Sequence, residues 1–334
     1  MMSKAELKQL FEDFNKLTIL IIGDVMVDSY YWGKVERISP EAPVPIVAVQ
    51  KKESRMGGAA NVALNIQAMG AKPILCSVIG EDEEGSEFMQ LLEQNGQTTQ
   101  GLMRSTNRKT TKKTRIIGNH HQMLRVDAED EHPLSSQEER AFVKLIKERL
   151  TAERIDALIF EDYDKGVITA SLIKKVVEVA GEMGIPTAVD PKKRNFMQYH
   201  QVDLFKPNLK ELKEGLKIDL EASNQAALKK AIVQLEKQLN NHTTLITLSE
   251  RGVFIHNQKE EHHIPAHLRD ITDVSGAGDT VISVATLCLA LKQSPKLIAE
   301  ISNLAGGLVC ENVGVVPINK EALAKEAEKV LTSA

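Results

Sequence analysis

Apolar positions along the chain fall into two rhythms. Residues 3–17 place Leu7, Leu10, Phe11 and Phe14 at three- and four-residue spacings, which predicts an amphipathic helix. Directly after it, LTILIIGD is a run of apolar, β-prone residues closed by Gly-Asp, the pattern of a strand buried on both faces. From there the rhythms alternate. Residues 58–69 read as helix, PILCSVIG as strand and 83–95 as helix. ALIFED follows as strand, 169–184 as helix and PTAVDP as strand. VDLFKPN then reads as strand, 223–240 as helix, TTLITLS as strand and 278–292 as helix. Strands separated by helical stretches call for crossover connections. The pattern therefore predicts an α/β fold, with a central, mostly parallel sheet covered by helices on both faces.

Two stretches break the alternation. Residues 30–51 (YYWGKVERISPEAPVPIVAVQ) carry three prolines and alternating apolar positions, and residues 98–127 hold short alternating runs, TKKTRIIG and QMLRVDAE, around a polar turn. Both read as β excursions from the core. We expect one domain over 1–334 with a small inserted β lid built from about 30–51 and 98–127. Open α/β sheets bind ligands at the carboxyl ends of their strands. Polar residues fall at several such ends: Asp24, Asp162, Asp190 and Asn208.

Composition narrows the classes. The chain has 334 residues, 42% hydrophobic and 26% charged, with a formal net charge of −4. That supports a large core and gives no global basic field for nucleic acid. Three cysteines (Cys76, Cys288, Cys310) lie scattered in apolar surroundings with no CxxC spacing, as expected of core thiols in a reducing compartment. The N-terminal MMSKAELKQLFEDFNKL lacks a signal-type apolar stretch, and no run reaches membrane-spanning length. A cytoplasmic protein without membrane or nucleic-acid partners is expected.

The chemistry concentrates in a few motifs. In DVSGAGDT, Gly276-Ala277-Gly278 can form an anion-binding nest at a helix start, with Asp279 in the first turn beside it. Amides that hold charge on a moving phosphoryl group and a carboxylate that takes a hydroxyl proton suit phosphoryl transfer. A glycine turn followed by an acid that complements the helix dipole fits the same letters. In MGGAANVALN, Gly57 and Gly58 admit a ligand close to the backbone and Asn61 can bond hydroxyls, or the small residues serve tight packing. Asp24 and Asp28 in GDVMVD can accept from sugar hydroxyls, or close an ordinary turn. In KPNLKE, Asn208 and Glu211 form either a capping box or the edge of a phosphate and Mg²⁺ site. The basic stretch RKTTKKTR, with Lys113 and Arg115, is either a solvated hairpin face or, with Lys34, Arg37, Arg125 and Lys165, the seat of an anionic substrate group. His262, His263 and His267 lack metal-ligand spacing, and His120-His121 reads as a turn. GxxxxGK[ST], GxGxxG after a strand, GxSxG and HExxH are all absent.

Together these motifs resemble the ribokinase-like (PfkB) carbohydrate kinase family, over residues 18 to about 330. GGAANVALNIQAMG is similar to the family's first signature and DVSGAGDTVISVATLCLALK to its second, with PNLKE between them. RISPEAPVPIV, with GDVMVDSYYWG, EDYDKG and DPK, more closely resembles the kinases of heptose 7-phosphate in lipopolysaccharide precursor synthesis. The sequence departs at Val274, where the family more often has threonine, and at Glu161, where such kinases often have serine; DPKKRNF also differs after Lys192. The resemblance implies ATP and Mg²⁺ as cofactors, with K⁺ as a possible addition, and phosphorylation of the anomeric O1 of D-glycero-β-D-manno-heptose 7-phosphate. It implies Asp279 as general base and Gly276, Ala277 and Gly278 as anion hole. Asp24, Asp28, Gly57, Gly58, Asn61, Lys113, Arg115, Asp162 and Lys165 are implied on the sugar side. Lys192, Asn208, Glu211, Thr247, Ser249, Gly252 and Asn303 fall on the ATP side, with Glu211 reaching Mg²⁺ through water. A homodimer through the lid is implied as well. HxGH, the mark of the nucleotidyltransferase half of many such kinases, is absent, so a separate partner is expected for that step. A kinase for another sugar, sugar phosphate or nucleoside, and a catalytically silent sensor, are the alternative readings.

Overall fold

The protein is described by a computed structural model over residues 2–332, apart from 120, 222, 223 and 268. In chain order, α1 (Lys4–Asp13) and β1 (Thr18–Gly23) lead into a long pair, β2 (Val25–Ile38) and β3 (Pro45–Gly58). After them come α2 (Ala59–Ala68), β4 (Lys72–Gly80), α3 (Glu83–Gln94) and β5 (Leu102–Ser105). A second pair follows, β6 (Thr111–Gly118) and β7 (His121–Ala128), then α4 (Ser136–Ala152), β8 (Ala157–Glu161), α5 (Ala170–Met183) and β9 (Thr187–Asp190). The rest is β10 (Leu204–Phe205), α6 (Leu209–Leu216), α7 (Gln225–Leu239), β11 (Thr243–Thr247), β12 (Val253–Asn257), β13 (Glu261–Ile264), α8 (Ala277–Ala290), α9 (Pro295–Val309) and α10 (Lys320–Leu331).

Strand β1 shows why the apolar run reads as it does. Ile19 and Ile21 enter one core, Leu20 and Ile22 another, and all four are fully buried. Each such side chain contributes roughly 1.5–3 kcal/mol of transfer free energy. The first core is closed by α1, α2, α3, α8, α9 and α10, the second by α4, α5, α6 and α7. Between them runs a nine-stranded sheet in the order β13-β12-β11-β10-β9-β8-β1-β4-β5. It is parallel from β11 to β5 and antiparallel at β12 and β13. The expected sheet and its two helical layers are present.

The second sheet is β3-β2-β6-β7. It takes in more of the first proline-rich stretch than the sequence suggested and less of the other. β2 begins at Val25 and β3 runs to Gly58, because their inner halves are buried and read as continuations of the core. Residues 102–105, expected in the lid, instead pair in parallel with β4 at the edge of the main sheet. Thr111 opens the part that joins the small sheet. This sheet grows directly out of candidate site residues: β2 starts just after Asp24, and β3 ends in Gly57-Gly58. His121 opens β7 instead of lying in a turn, and His120 falls outside the described residues. His262 and His263 lie in β13.

Candidate active site

The parallel strands end in a row. Along the sheet, Thr247 closes β11, Lys206 and Asn208 follow β10, Asp190 closes β9, Glu161 closes β8 and Asp24 follows β1. Two helices start over this row, α2 after Gly58 and α8 after Gly276. Among the described residues these are the α-helices with no side-chain N-cap; every other one starts on a Ser, Thr, Asp or Asn that accepts a first-turn N–H. An uncapped helix start leaves N–H groups and positive potential available to a ligand. Gly276 makes this possible at α8 with φ of 79°, and a Cβ there would lie 3.0 Å from Asn61 Nδ2. Gly278 is different: a Cβ would touch only Asp190 Oδ2 at 3.7 Å and Lys206 Nζ at 3.8 Å. The nest is lined by charged groups and stays partly open, with Gly276, Ala277 and Gly278 half-buried.

Asp279 lies in the first turn of α8 and is buried. Its Oδ2 accepts from Asn61 Nδ2 at 2.6 Å, and its Oδ1 from Tyr163 Oη at 2.8 Å. Burial raises its carboxyl above the ordinary range, the two hydrogen bonds oppose this, and Asp190 adds to it. The result is a carboxylate of fixed aim with a strengthened appetite for a proton. Asn61 is itself steadied within α2: Asn65 Nδ2 donates to its carbonyl, and Asn65 Oδ1 accepts from Thr280 Oγ1 and from the Ile318 N–H. One asparagine thus ties α2, α8 and the segment before α10.

Charged groups surround this base. Oxygens of Glu161, Asp190 and Asp279 lie within 4.8 Å of one another, all three residues buried. Lys206 Nζ, buried, bonds Asp190 Oδ2 at 2.8 Å. Lys192 Nζ bonds Glu211 Oε1 at 2.7 Å, lies 3.7 Å from Asp190 and sits over the Tyr163 ring. Burial works against both ammonium groups, yet the neighbouring carboxylates, Asp190 foremost, outweigh it and hold both above the usual lysine range. Asn208 and Glu211 form the capping box of α6, and the Glu211 oxygen not bonded to Lys192 accepts from the Asn208 N–H at 2.8 Å. The capping and ligand-facing readings of KPNLKE are compatible, because the box fixes the carboxylate that Lys192 meets.

The remaining candidates occupy varied places. Asp24 is buried and accepts from the N–H groups of Tyr163, Lys165 and Val167, so its oxygens hold the loop after β8. Asp162 accepts from Asn195 Nδ2 and Tyr199 Oη, and burial, together with the nearby Asp24, pushes its carboxyl up to about 6. Gly58 adopts φ of 64° where α2 begins, and Gly57 packs on Met26. Arg115 is ion-paired with Asp28, while Lys113 and Lys165 share Glu129 at 3.1 and 2.8 Å. Lys113 and Lys165 meet on one carboxylate, Arg115 is paired elsewhere with Asp28, and Arg125 with Asp127. On the other side, Ser249 takes φ of 57° in a turn that Gly252 closes, beside Thr247. Asn303, on α9, donates to the Pro265 carbonyl and pins the chain after β13.

Sequence reasoning missed Tyr163, Lys206 and Asn65 and noted Glu161 only as a departure. Signals existed for the last two, an acid at a strand end and an asparagine one helical turn after Asn61. Nothing local marks a lysine or tyrosine as facing a residue more than seventy positions away.

A model of the pfkB family carbohydrate kinases matches residues 16–322. The chain is 40% identical over 316 residues to the bifunctional protein HldE of Methylobacillus flagellatus, with 95% of this chain covered. It is 38% identical over 297 residues to that of Wolinella succinogenes, with 89% covered. It spans less than two thirds of the length of these curated relatives, 64% and 62% respectively. Among solved structures, phosphofructokinase-2 from Escherichia coli in complex with potassium superposes with a TM-score of 0.77 at 17% identity, over 92% of this chain and 97% of that one. That likeness identifies the fold as ribokinase-like.

Proposed function

The chain belongs to the pfkB family of carbohydrate kinases, and from that premise we propose that it phosphorylates O1 of D-glycero-β-D-manno-heptose 7-phosphate with ATP, giving the 1,7-bisphosphate and ADP. As a member of that family it is a phosphotransferase. The observation that carries the proposal is Asp279: a buried carboxylate, aimed by Asn61 and Tyr163, beside an uncapped helix start. In the reaction, Asp279 accepts the O1 proton as O1 bonds the γ-phosphorus. The bond from that phosphorus to the β,γ-bridging oxygen breaks, and ADP leaves with its electron pair. Negative charge on the transferring group faces the first-turn amides of α8, with the Lys206 ammonium beside Gly278. Closure of the small sheet excludes water, which would otherwise divert ATP to hydrolysis.

The residues fit a hard divalent cation, since Asp190 Oδ1 and both Glu161 oxygens are buried without a hydrogen-bond partner. Mg²⁺ arriving with ATP would be held near Glu211 through water, where it neutralises phosphate charge. Phosphofructokinase-2 from Escherichia coli has been seen with potassium, and K⁺ is proposed here as an accompanying cation.

The heptose assignment is supported by RISPEAPVP in the small sheet and by the HldE relatives. Lys113, Arg115 and Lys165 are proposed to hold the 7-phosphate, a homodimer to form through the small sheet, and a nucleotidyltransferase activity to take the product toward lipopolysaccharide precursors in the cytoplasm. No helix among the described residues is long and apolar enough to cross a membrane. One observation favours a second acceptor class: those three basic groups already have carboxylate partners, which suits an unphosphorylated sugar. ATP consumption against sugars and their 7-, 6- and 1-phosphates, with K⁺ or Na⁺, decides between them. Turnover confined to heptose 7-phosphate is expected; turnover only on unphosphorylated sugars would replace the assignment.

A further inference from the structure

Asn65 lies fully buried within α2, where a residue that only packed would serve better as leucine. Its amide is oriented from outside the helix. The Ile318 N–H, which can only donate, points at one end of it from 3.0 Å, so that end is the oxygen Oδ1. The Thr280 hydroxyl on α8 lies 3.1 Å from the same oxygen. Nδ2 is therefore at the other end, and there it donates to the Asn61 carbonyl at 2.9 Å.

This orientation passes along the helix. Residues four apart share a helix face, and Asn65 Nδ2 also faces the Asn61 side chain, 3.4 Å from Oδ1. Because that end of Asn61 meets a donor, its own Nδ2 is left for the opposite side. There it donates to Asp279 Oδ2 at 2.6 Å, and a Cβ on Gly276 would lie 3.0 Å from it. Asn61 thus offers the site a donor only. If this amide turned over, its oxygen would oppose the Asp279 carboxylate and its Nδ2 would oppose Asn65 Nδ2. A hydroxyl entering between the two side chains finds a donor for its lone pair in Asn61. For its proton, Asp279 is the one acceptor of this pair.

We propose that Asn65 is a positioning residue for phosphoryl transfer. It holds the Asn61 amide in the orientation that donates to Asp279, and so ties the aim of the base to the backbone before α10. Asn65 bonds neither Asp279 nor substrate, and it works through Asn61. The inference rests on the reading of Asp279 as base and is independent of which sugar is used.

Two substitutions test it. Asn65→Ser keeps a helical bond to the carbonyl of residue 61 but is too short to reach Asn61 Oδ1. Asn65→Asp still accepts from the Ile318 N–H but sets an oxygen against Asn61. Each is made in the wild type and in Asn61→Ala, and kcat is read at saturating ATP and sugar. In the wild type, each is expected to lower kcat at least about tenfold with the KM for ATP nearly unchanged. In Asn61→Ala, where no amide remains to be held, the further loss should stay within about twofold. Equal losses in both backgrounds would make Asn65 a packing residue and overturn the proposal, as would wild-type kcat in both variants. Neutron diffraction from deuterium-exchanged crystals of the wild type covers variants that do not fold. Deuterons are expected on the Asn61 atom facing Asp279, and an oxygen there would overturn the proposal as well. Failure of the base assignment is separate: Asp279→Asn would then turn over normally, whereas a failed relay leaves that variant inactive.

Discussion

Asp279 combines three properties seldom found together: burial, two directed hydrogen bonds, and a place in the first turn of an uncapped helix. An ordinary dipole-complementing acid needs neither of the first two, which is the ground for proposing Asp279 as the base. Asp279→Asn preserves size and can still accept from Tyr163, yet cannot take the proton of an attacking hydroxyl. It is expected to lower kcat by at least about two orders of magnitude, with ATP affinity by equilibrium titration nearly unchanged. Turnover near that of the wild type would remove Asp279 from the chemistry. The residues legible beforehand were those whose neighbours in sequence advertise them: glycines before an acid, glycines before Asn61, an asparagine three positions before Glu211. Tyr163, Lys206 and Glu161 were not legible as a set. Their meeting depends on β8, β9 and β10 lying side by side, which no local spacing encodes.

At the scale of elements, the long periodic segments were readable and the short edge strands were not. The edge strands β5 and β13 mix polar with apolar residues and are only partly buried, unlike the equally short, fully buried β8 and β9, and β5 was swept into the neighbouring polar excursion. Helix starts are written more plainly, and the capping box of α4 is an example with a pH signature. Glu138 accepts from the Ser135 N–H and hydroxyl, from Asn107 Nδ2, and from the Ser105 hydroxyl, linking the start of α4 to the end of β5. Partial burial raises its carboxyl, but these donors outweigh it and bring it down to about 2. A depressed acid stabilises the fold above its unfolded value, and that contribution is lost as pH falls through the folded one. Glu138→Gln is therefore expected to be less stable than wild type at pH 7, by about 1 kcal/mol given the partial exposure. The gap should narrow from about pH 5 downward and close near pH 2. Urea unfolding of both proteins across that range checks it; a gap independent of pH would mean that the charge of Glu138 plays no part.

For the whole molecule, the open question of architecture is what covers the small sheet. Its edge strands are β3 and β7, and every residue of β7 is exposed. Leu124 and Val126 alternate with charged Arg125 and Asp127 and are 55% and 50% exposed, and Ile38 and Val44 are bare at the far end of the β2–β3 pair. A long open edge with apolar side chains invites pairing with another chain. A second copy of the same sheet is the simplest occupant, since a two-fold axis makes one surface complementary to itself. It would also tie assembly to catalysis, because β2 begins next to Asp24 and β3 ends in Gly58 at the candidate site. Leu124→Glu puts a charge into that interface twice, once from each protomer. At hot-spot values of about 2 kcal/mol per site, the dimer's dissociation constant should rise at least about a thousandfold. Light scattering on the eluting protein is expected to show a dimer for the wild type and a monomer for Leu124→Glu, with melting temperature little changed. The monomer should bind sugar more weakly while the pH dependence of kcat stays put, since Asp279, the proposed base, lies on α8, outside the small sheet. A wild type that is monomeric at tens of micromolar, or a Leu124→Glu protein that stays dimeric, would place the contact elsewhere and leave the edge of β7 to the lid's own motion.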